Sequence, residues 1–275
     1  MEIQFHHIEP HYLLKNYIPK MLLFESSGKI ATEDLKLVVP NGNLKLTVSF
    51  QNGIVAEING KPFSSKSDQI TLTGLVDVPV ILDVDEDIPT RTLGVEFNPR
   101  GAYRFFRLPL NSIQNQIHSI EDLWGNLGTG LVRAIQYGQT VSEKIHLLQQ
   151  FLIQQLGLHD EDPIFEYCVE SIFASKGKIP VKELERKTGY SSRWLNMKFQ
   201  HKLGVSPKNL ASIVRFKQYY QAWINGDEKH FFKNDYYELY YDQSHFIKDF
   251  KRFTGLPPTQ FERSVNDFGE RYYRD

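Results

Sequence analysis

Side chains suited to recognising another molecule are concentrated in two short stretches near the carboxyl-terminal end of the chain. In the first stretch they are Ser192, Arg193, Asn196 and Met197, and in the second they are Gln243, Ser244, Ile247 and Lys248. The shared spacing would place each set on one face of an α-helix. Small polar and basic side chains on an exposed helix face can bond to the base edges of the DNA major groove. The chemistry that they predict is recognition of a nucleic acid, with no catalytic residue.

The two stretches belong to an internal repeat with a shift of 51 positions. The matching pairs are Leu195 with Phe246, Phe199 with Phe250, Gly204 with Gly255, Pro207 with Pro258, and Leu210 with Phe261. Ser191 and Asp242 precede the two stretches and are of the types that cap helix N-termini. Gly189 suits the turn before the first stretch, because a positive φ costs glycine little. Each copy predicts a helix-turn-helix unit, and two tandem units would present two recognition helices to DNA.

Basic residues near the ends of the predicted recognition helices are placed to contact DNA phosphates. They are Lys202, Lys251 and Arg252. Between positions 176 and 263 the chain has 17 Lys and Arg against 9 Asp and Glu, a balance of +8, although the whole chain carries −1. A basic segment of this kind favours phosphate contact, and a solvated charged surface is the alternative. Ser206-Pro207 predicts the start of a long helix, reaching about Asn225, that would hold the two units at a fixed spacing.

The segment from about Asp162 to Phe261 resembles the AraC/XylS family of bacterial transcription regulators. The residues that carry the resemblance are Gly189-Tyr190-Ser191, Phe199, the run 204–207, the run 241–246, Phe250-Lys251 and the run 255–258. The resemblance implies two helix-turn-helix units joined by a linker helix, binding to double-stranded promoter DNA, and contact with RNA polymerase. It assigns the two sets of four residues to the first and second base-reading helices. Leu239 stands where the family has a glycine in the second turn, so a second unit used mainly for phosphate contact is the alternative.

Short β-branched runs separated by turn-forming residues fill most of the first hundred positions. The runs are 35–39, 44–50, 54–58, 69–72, 78–84 and 92–97. Asn52-Gly53 lies between two of them and predicts a β-hairpin. Regular short strands predict a β-sandwich or small β-barrel.

The amino-terminal half is similar to the cupin-like sensor region of one AraC-type subgroup. The similarity rests on Pro40-Asn41-Gly42, the run 93–102 and Leu123-Trp124-Gly125, and it implies no particular ligand. The fold class is therefore predicted as α+β: a cupin-like β-barrel or sandwich with flanking helices, then an all-α region. An interior pocket would be lined by Leu46, Val48, Phe50, Leu93, Val95 and Phe97. These side chains are apolar enough to fill a small barrel, so we expect a small or absent pocket.

Three segments are predicted along the chain. Residues 1–158 form a sensor or dimerisation domain with a helical end, residues 162–263 form the DNA-binding domain, and residues 264–275 form a polar tail. Thr140 and Glu143 fit a capping box at the start of a helix, which Gly157 would end. The apolar stripe of that helix is Ile145, Leu148, Leu152 and Leu156. The stripe would either pack on the barrel or pair with a second copy, so a homodimer is one expectation.

Composition and motifs exclude several other classes. The chain of 275 residues is 41% hydrophobic, as in ordinary globular proteins, and it has neither a run typical of a transmembrane helix nor a signal-peptide pattern. Cys168 is the single cysteine, so an intramolecular disulfide is impossible. The strand region has no histidine between His11 and His118, which argues against a cupin metal site. We expect a cytoplasmic protein without metal or cofactor, and the familiar hydrolase, phosphate-loop and zinc-protease motifs are absent.

Two functions from different classes follow. The first is a sequence-specific transcription regulator whose amino-terminal domain senses an unidentified small-molecule effector or forms a dimer. The alternative is a ligand-binding or enzymatic cupin-like protein whose helical domain has lost specific DNA binding. The two differ in whether the protein prefers one DNA sequence and binds it with strong salt dependence. A third possibility is an architectural DNA binder, which would bind DNA without preferring any sequence.

Overall fold

The computed structural model describes residues 3–106, 108–156, 158, 161–226, 239–240 and 242–274. Ten strands come first: β1 (Ile3–His7), β2 (Lys20–Ser26), β3 (Leu37–Val38), β4 (Leu44–Gln51), β5 (Ile54–Ile58), β6 (Lys61–Ser64), β7 (Ile70–Thr73), β8 (Val80–Val84), β9 (Thr90–Phe97) and β10 (Ile117–Ser119). The helices that follow are α1 (Ile120–Trp124), α2 (Asn126–Tyr137), α3 (Val141–Leu156), α4 (Pro163–Ala174), α5 (Val181–Thr188), α6 (Ser192–Leu203), α7 (Pro207–Asn225), α8 (Gln243–Thr254), α9 (Pro258–Phe261) and α10 (Asp267–Tyr273). The predicted α+β class, with a β region before a helical one, is confirmed.

The strands form two antiparallel sheets. The six-stranded sheet has the order β1-β2-β9-β4-β7-β10, and the four-stranded sheet has the order β3-β8-β5-β6. All six predicted runs are strands, but β1, β2, β6 and β10 were not predicted. Residues on alternate positions of a strand point to opposite faces of its sheet, and every residue of the central strand β9 is at least partly buried. Both faces of the six-stranded sheet are therefore covered at its centre.

The apolar face of the six-stranded sheet packs against helices rather than against the second sheet. Phe97 lies 4.9 Å from Phe105 and 5.0 Å from Phe106 between ring centroids, and Phe106 stacks on Trp124 at the end of α1. Leu46, Val48 and Leu93 pair across the strands and are at most 1% exposed. This packing takes up the apolar face, which agrees with the expectation of a small or absent pocket among these side chains.

The Asn52-Gly53 turn is a corner between the two sheets, so the predicted hairpin is wrong. β4 pairs in the six-stranded sheet, whereas β5 pairs in the four-stranded sheet. Asn52 (φ 59°) donates its side-chain amide to Glu86 O at 2.9 Å, and a Cβ on Gly53 would lie 1.7 Å from Ser65 O. The chain uses this turn to cross from one sheet to the other, and β4 and β5 belong to different sheets. The two-residue hairpin is formed by Asn59-Gly60, which joins β5 to β6 with φ angles of 53° and 70°.

The capping box before α3 is present as predicted. The Thr140 backbone N–H donates to Glu143 Oε2 at 3.3 Å, and the Glu143 N–H donates to Thr140 Oγ1 at 3.1 Å. Ile145, Leu148 and Leu152 are buried within the chain, so the stripe is intramolecular core rather than a dimer surface. The predicted stop at Gly157 lies outside the described residues.

The segment after position 263, which was expected to be a polar tail, forms α10 and packs on the β region. Phe268 and Tyr273 are 4% and 5% exposed, and Phe268 lies 5.8 Å from Phe24 on β2. The Asn266 side chain accepts from Leu37 N at 2.8 Å and donates to Leu37 O at 3.1 Å. The tail is buried because its aromatic side chains fall on one face of a helix, despite its many charges.

Candidate nucleic-acid interface

Helix α6 follows α5 across a tight turn and begins at a side-chain cap. Gly189 ends α5 in the left-handed region with φ 75°, and Ser191 Oγ then accepts from Trp194 N at 3.3 Å. Leu195, Phe199 and Leu203 are fully buried. These three side chains form the inward face of α6, so its opposite face is available to a partner.

Helix α8 repeats this construction 51 residues later. Asp242 Oδ1 accepts from His245 N at 2.7 Å, as Ser191 does for α6. Phe246 and Phe250 are buried, and they pack on Tyr219 of the long helix α7 at 4.7 and 6.2 Å between ring centroids. The helix expected before α8, which includes Asn234-Asp235, lies mainly outside the described residues.

Most of the predicted base-reading side chains lie on the exposed faces of these helices. The exposed ones are Arg193, Asn196, Met197, Gln243, Ser244, Ile247 and Lys248. Ser192 is partly buried, and its backbone N–H donates to Glu185 Oε1 of α5. The structure thus brings each set of four to one helix face, while their contact with bases stays a prediction.

The three predicted phosphate contacts have different surroundings. Lys251 is exposed at the last turn of α8. Lys202 is half-buried: its Nζ lies 3.4 Å from Asp162 Oδ2 and 3.7 Å from the centroid of the Tyr103 ring. Arg252 donates from Nη2 to Asp77 Oδ2 at 2.5 Å. Of these basic groups, two are therefore already paired with carboxylates of the same chain.

Asp162 forms ion pairs with two basic side chains of α6, Lys198 and Lys202. It caps α4 by accepting from Phe165 N at 3.1 Å, and the same carboxylate accepts from Lys198 Nζ at 2.5 Å. Burial raises the pKa of the Asp162 carboxyl, but the bond from Lys198 and the charge of Lys202 outweigh burial and hold that pKa below its ordinary value. Burial lowers the pKa of Lys202, and Asp162 opposes this change.

Asp77 organises the basic end of α8 from the loop between β7 and β8. Its side chain is 8% exposed. Its carboxylate accepts from Asn115 Nδ2 at 2.7 Å, Gln114 Nε2 at 3.3 Å and Asn209 Nδ2 at 2.5 Å, in addition to Arg252. Asp77 and Asn209 were not found from the sequence, because nothing in a lone loop aspartate signals a partner 175 residues away.

The interior between the two sheets offers little room for a ligand. One cavity of about 80 Å³ is bordered by Phe268 and Tyr272 of α10, and a neighbouring one has about 50 Å³. Both are bordered by Lys45, whose pKa is lowered by burial and whose Nζ lies 4.0 Å from Glu96 Oε1. The cavities are small, as expected, and α10 fills part of the space between the sheets.

The described part of the chain offers neither a metal cluster nor a membrane-crossing helix. Among these residues, no three His, Cys, Asp or Glu side chains are grouped so that they could hold a metal ion. None of the described helices combines the length and apolar content that a membrane crossing requires.

Comparison with known proteins gives limited likenesses. Residues 6–119, which include nearly all of the β region, match a family model described as a domain of unknown function (DUF6597). No curated protein matches the sequence.

Several solved structures are similar over part or most of the chain. A structure of ToxT from Vibrio cholerae is 11% identical, has a TM-score of 0.46, and covers 87% of this chain and 97% of its own. The cupin domain of Schizosaccharomyces pombe Cnp3 is 11% identical with a TM-score of 0.28, and covers 36% of this chain and 66% of its own. A cupin superfamily protein from Desulfitobacterium hafniense is 7% identical with a TM-score of 0.27, and covers 35% of this chain and 78% of its own. At these TM-scores, none of the likenesses assigns an activity or a ligand to the chain.

Proposed function

We propose that this chain is a sequence-specific DNA-binding transcription regulator that reads promoter DNA with α6 and α8. The observation that carries the proposal is the repeated construction of the two helices: each is capped, has a buried apolar row and exposes side chains at matching positions. A pair of such helices suits successive major-groove segments of one duplex face. The proposal includes no catalytic step.

Two groups of residues have distinct roles in this proposal. The exposed faces of α6 and α8 contact base edges, since Arg193, Asn196 and Gln243 have donors and acceptors suited to them. Lys251, Lys202 and Arg252 contact phosphates, which position the protein without reading sequence. RNA polymerase contact, a homodimer and a small-molecule effector stay predictions of the family resemblance.

The test starts with selection of bound duplexes from a random pool, followed by measurement of affinity for the selected and for a scrambled duplex. Arg193→Ala should weaken binding to the selected duplex by about 1–3 kcal/mol and relax preference at one position. Gln243→Ala tests α8 in the same way. Arg133→Ala and Gln136→Ala make the same changes on the exposed face of α2 and should leave affinity unchanged.

Four outcomes separate the alternatives. Equal losses on selected and scrambled DNA would assign Arg193 to a phosphate. No effect of Gln243→Ala at any position would restrict base reading to α6. A wild-type chain that binds DNA without any preferred sequence would contradict the proposal and favour an architectural DNA binder. A wild-type chain that binds no duplex would favour the alternative of a ligand-binding or enzymatic β domain.

A further inference from the structure

We propose that the carboxylates of Asp77 and Asp162 compete with DNA phosphates for basic side chains of α6 and α8. By holding these side chains, the two carboxylates lower the DNA affinity of the chain. This inference rests on the proposed function and adds a regulatory contact to it. The carboxylates occupy Arg252, Lys198 and Lys202. DNA binding would then require exchange of an internal carboxylate for a phosphate at each of these groups.

The Asp77 carboxylate is held in place independently of Arg252. Asn115 and Gln114 donate to it from the β region, and Asn209 donates to it from α7. An acceptor that is already oriented loses little freedom when it binds a cation. Its low exposure also limits competition from water, so its pairing with Arg252 is stronger than that of a surface ion pair.

The guanidinium of Arg252 points towards Asp77, in the loop between β7 and β8, although the neighbouring Lys251 of α8 is exposed to solvent. Its Nη2 donates both to Asp77 Oδ2 at 2.5 Å and to Asn209 Oδ1 at 3.0 Å. The adjacent Lys251 is exposed and has no such carboxylate partner among the described residues. Two consecutive basic residues at the end of α8 therefore differ in whether an internal anion already neutralises them.

Asp162 holds two cations of α6 at once. Its Oδ2 lies 2.5 Å from Lys198 Nζ and 3.4 Å from Lys202 Nζ. Each lysine also lies over an aromatic ring: Lys198 is 4.4 Å from the Trp194 centroid, and Lys202 is 3.7 Å from the Tyr103 centroid. Lys202 is thereby held against the segment after β9, whereas Lys198 is held between Asp162 and Trp194 of its own helix.

Carboxylates and phosphates offer the same kind of acceptor to these cations. A guanidinium or ammonium group that remains on a carboxylate adds little net attraction for DNA and releases no DNA counterion. Loss of one carboxylate should therefore raise affinity for any duplex and steepen its dependence on salt. The effect concerns phosphate contacts, so preference between sequences should stay the same.

The experiment measures affinity of the full chain for the selected and scrambled duplexes over a range of salt concentrations. Asp77→Asn keeps the shape of the side chain and removes its charge. Asp162→Ser removes the charge and retains a residue type that can cap α4. Each variant should bind both duplexes about three- to tenfold more tightly, and the slope of log affinity against log salt should steepen by about 0.9 for each additional phosphate that the protein neutralises.

Asp68→Asn is the matched control, because Asp68 pairs with Lys144 inside the amino-terminal part at 3.5 Å. It removes the same charge and should leave affinity and slope unchanged. An equal increase in affinity for this control would indicate a general charge effect and overturn the inference, as would unchanged affinity in both test variants.

A readout without DNA separates this inference from the proposed function. Mass spectrometry after brief treatment with an amine-acetylating reagent should show faster modification of Lys198 and Lys202 in Asp162→Ser than in wild type, with Lys251 unchanged. Equal rates would contradict the pairing itself. If the variants bind more tightly but no duplex is preferred, the proposed function fails while the competition stands. If the variants bind no duplex, both fail.

Discussion

Helices α6 and α8 share their internal construction but differ in their surroundings. Both begin at a side-chain cap and end at a left-handed glycine, with φ 88° at Gly204 and φ 80° at Gly255. A Cβ on Gly204 would lie 2.8 Å from the carbonyl oxygen of Leu110, whereas a Cβ on Gly255 would meet only Pro79 Cγ at 3.7 Å. Helix α6 therefore ends in close backbone contact with the β region, while α8 ends in looser contact.

The cores beneath the two helices also differ. Helix α6 buries one aromatic side chain, Phe199, which packs edge-on against Phe165 at 4.9 Å. Helix α8 buries Phe246, Phe250 and Phe253 in an aromatic cluster with α7. Different neighbouring residues therefore stabilise the same pattern of cap, apolar row and glycine in the two helices. Three predictions test how far the likeness extends.

The largest expected effect is the loss of the equivalent core rings. Phe199→Ala and Phe250→Ala should each lower the free energy of unfolding by about 3–5 kcal/mol, because both side chains are fully buried. Urea unfolding followed by circular dichroism measures this quantity. Tyr137→Ala, at an 81% exposed position, should stay within about 0.5 kcal/mol of wild type. A cost below about 1 kcal/mol for Phe250→Ala alone would mean that α8 is not packed as α6 is.

The two terminal glycines should differ in their tolerance of alanine. Gly255→Ala should cost about 1–2 kcal/mol, the usual penalty of a left-handed alanine. Gly204→Ala should cost about 1–3 kcal/mol more, because its Cβ would press on the Leu110 carbonyl.

Thermal and urea unfolding of both glycine variants measure the difference. Gly130→Ala on α2 is the control: nothing lies within 4 Å of its Cβ, and alanine should stabilise this helix by about 0.5–1 kcal/mol. Equal costs at positions 204 and 255 would show that α6 is not confined by the β region.

The smallest expected effect concerns one matching position at which the helices carry opposite charges. Lys198 on α6 corresponds to Asp249 on α8. The Asp249 Oδ2 atom is buried, has no hydrogen-bond partner among the described residues, and lies 4.0 Å from Arg215 Nη2. Burial raises the pKa of Asp249 above its ordinary value of 3.8, and nearby cations, His245 first, oppose this only in part. Protonation of this carboxyl is thus more favourable in the folded than in the unfolded state. Its contribution to stability is fully present below pH 3.8 and is lost as pH rises through the folded-state pKa.

Asp249→Asn should therefore stabilise the protein by about 1 kcal/mol at neutral pH, because it removes a buried charge that lacks a hydrogen bond. The difference from wild type should shrink as pH falls towards 3.8. Urea unfolding at several pH values measures it, with the exposed Glu57→Gln as control. A loss of stability at neutral pH would mean that the Arg215 pair outweighs burial.

Features that depend on nearby residues could be predicted from the sequence. The capping box at Thr140 and Glu143, the caps at Ser191 and Asp242, and the left-handed glycines were all predicted or implied by local chemistry. Most of these interactions join residues at most four positions apart, so the residue types and their spacing suffice. The fold class followed from the short β-branched runs of the first hundred positions, from the repeated helical unit near the carboxyl-terminal end, and from the family resemblance.

The repeat, the exposed faces of α6 and α8, and the order of strands before helices could all be read from residue types and spacing. Long-range contacts were needed to show that Asn52-Gly53 turns a corner between sheets, that the apolar strand faces pack against helices, and that α10 is buried. The ion pair between Arg252 and Asp77 is likewise seen only in the folded structure. The physical reason is distance along the chain: a pattern of period two or 3.6 defines a face, but the surface that covers this face comes from residues up to hundreds of positions away, and nothing in the local pattern specifies them.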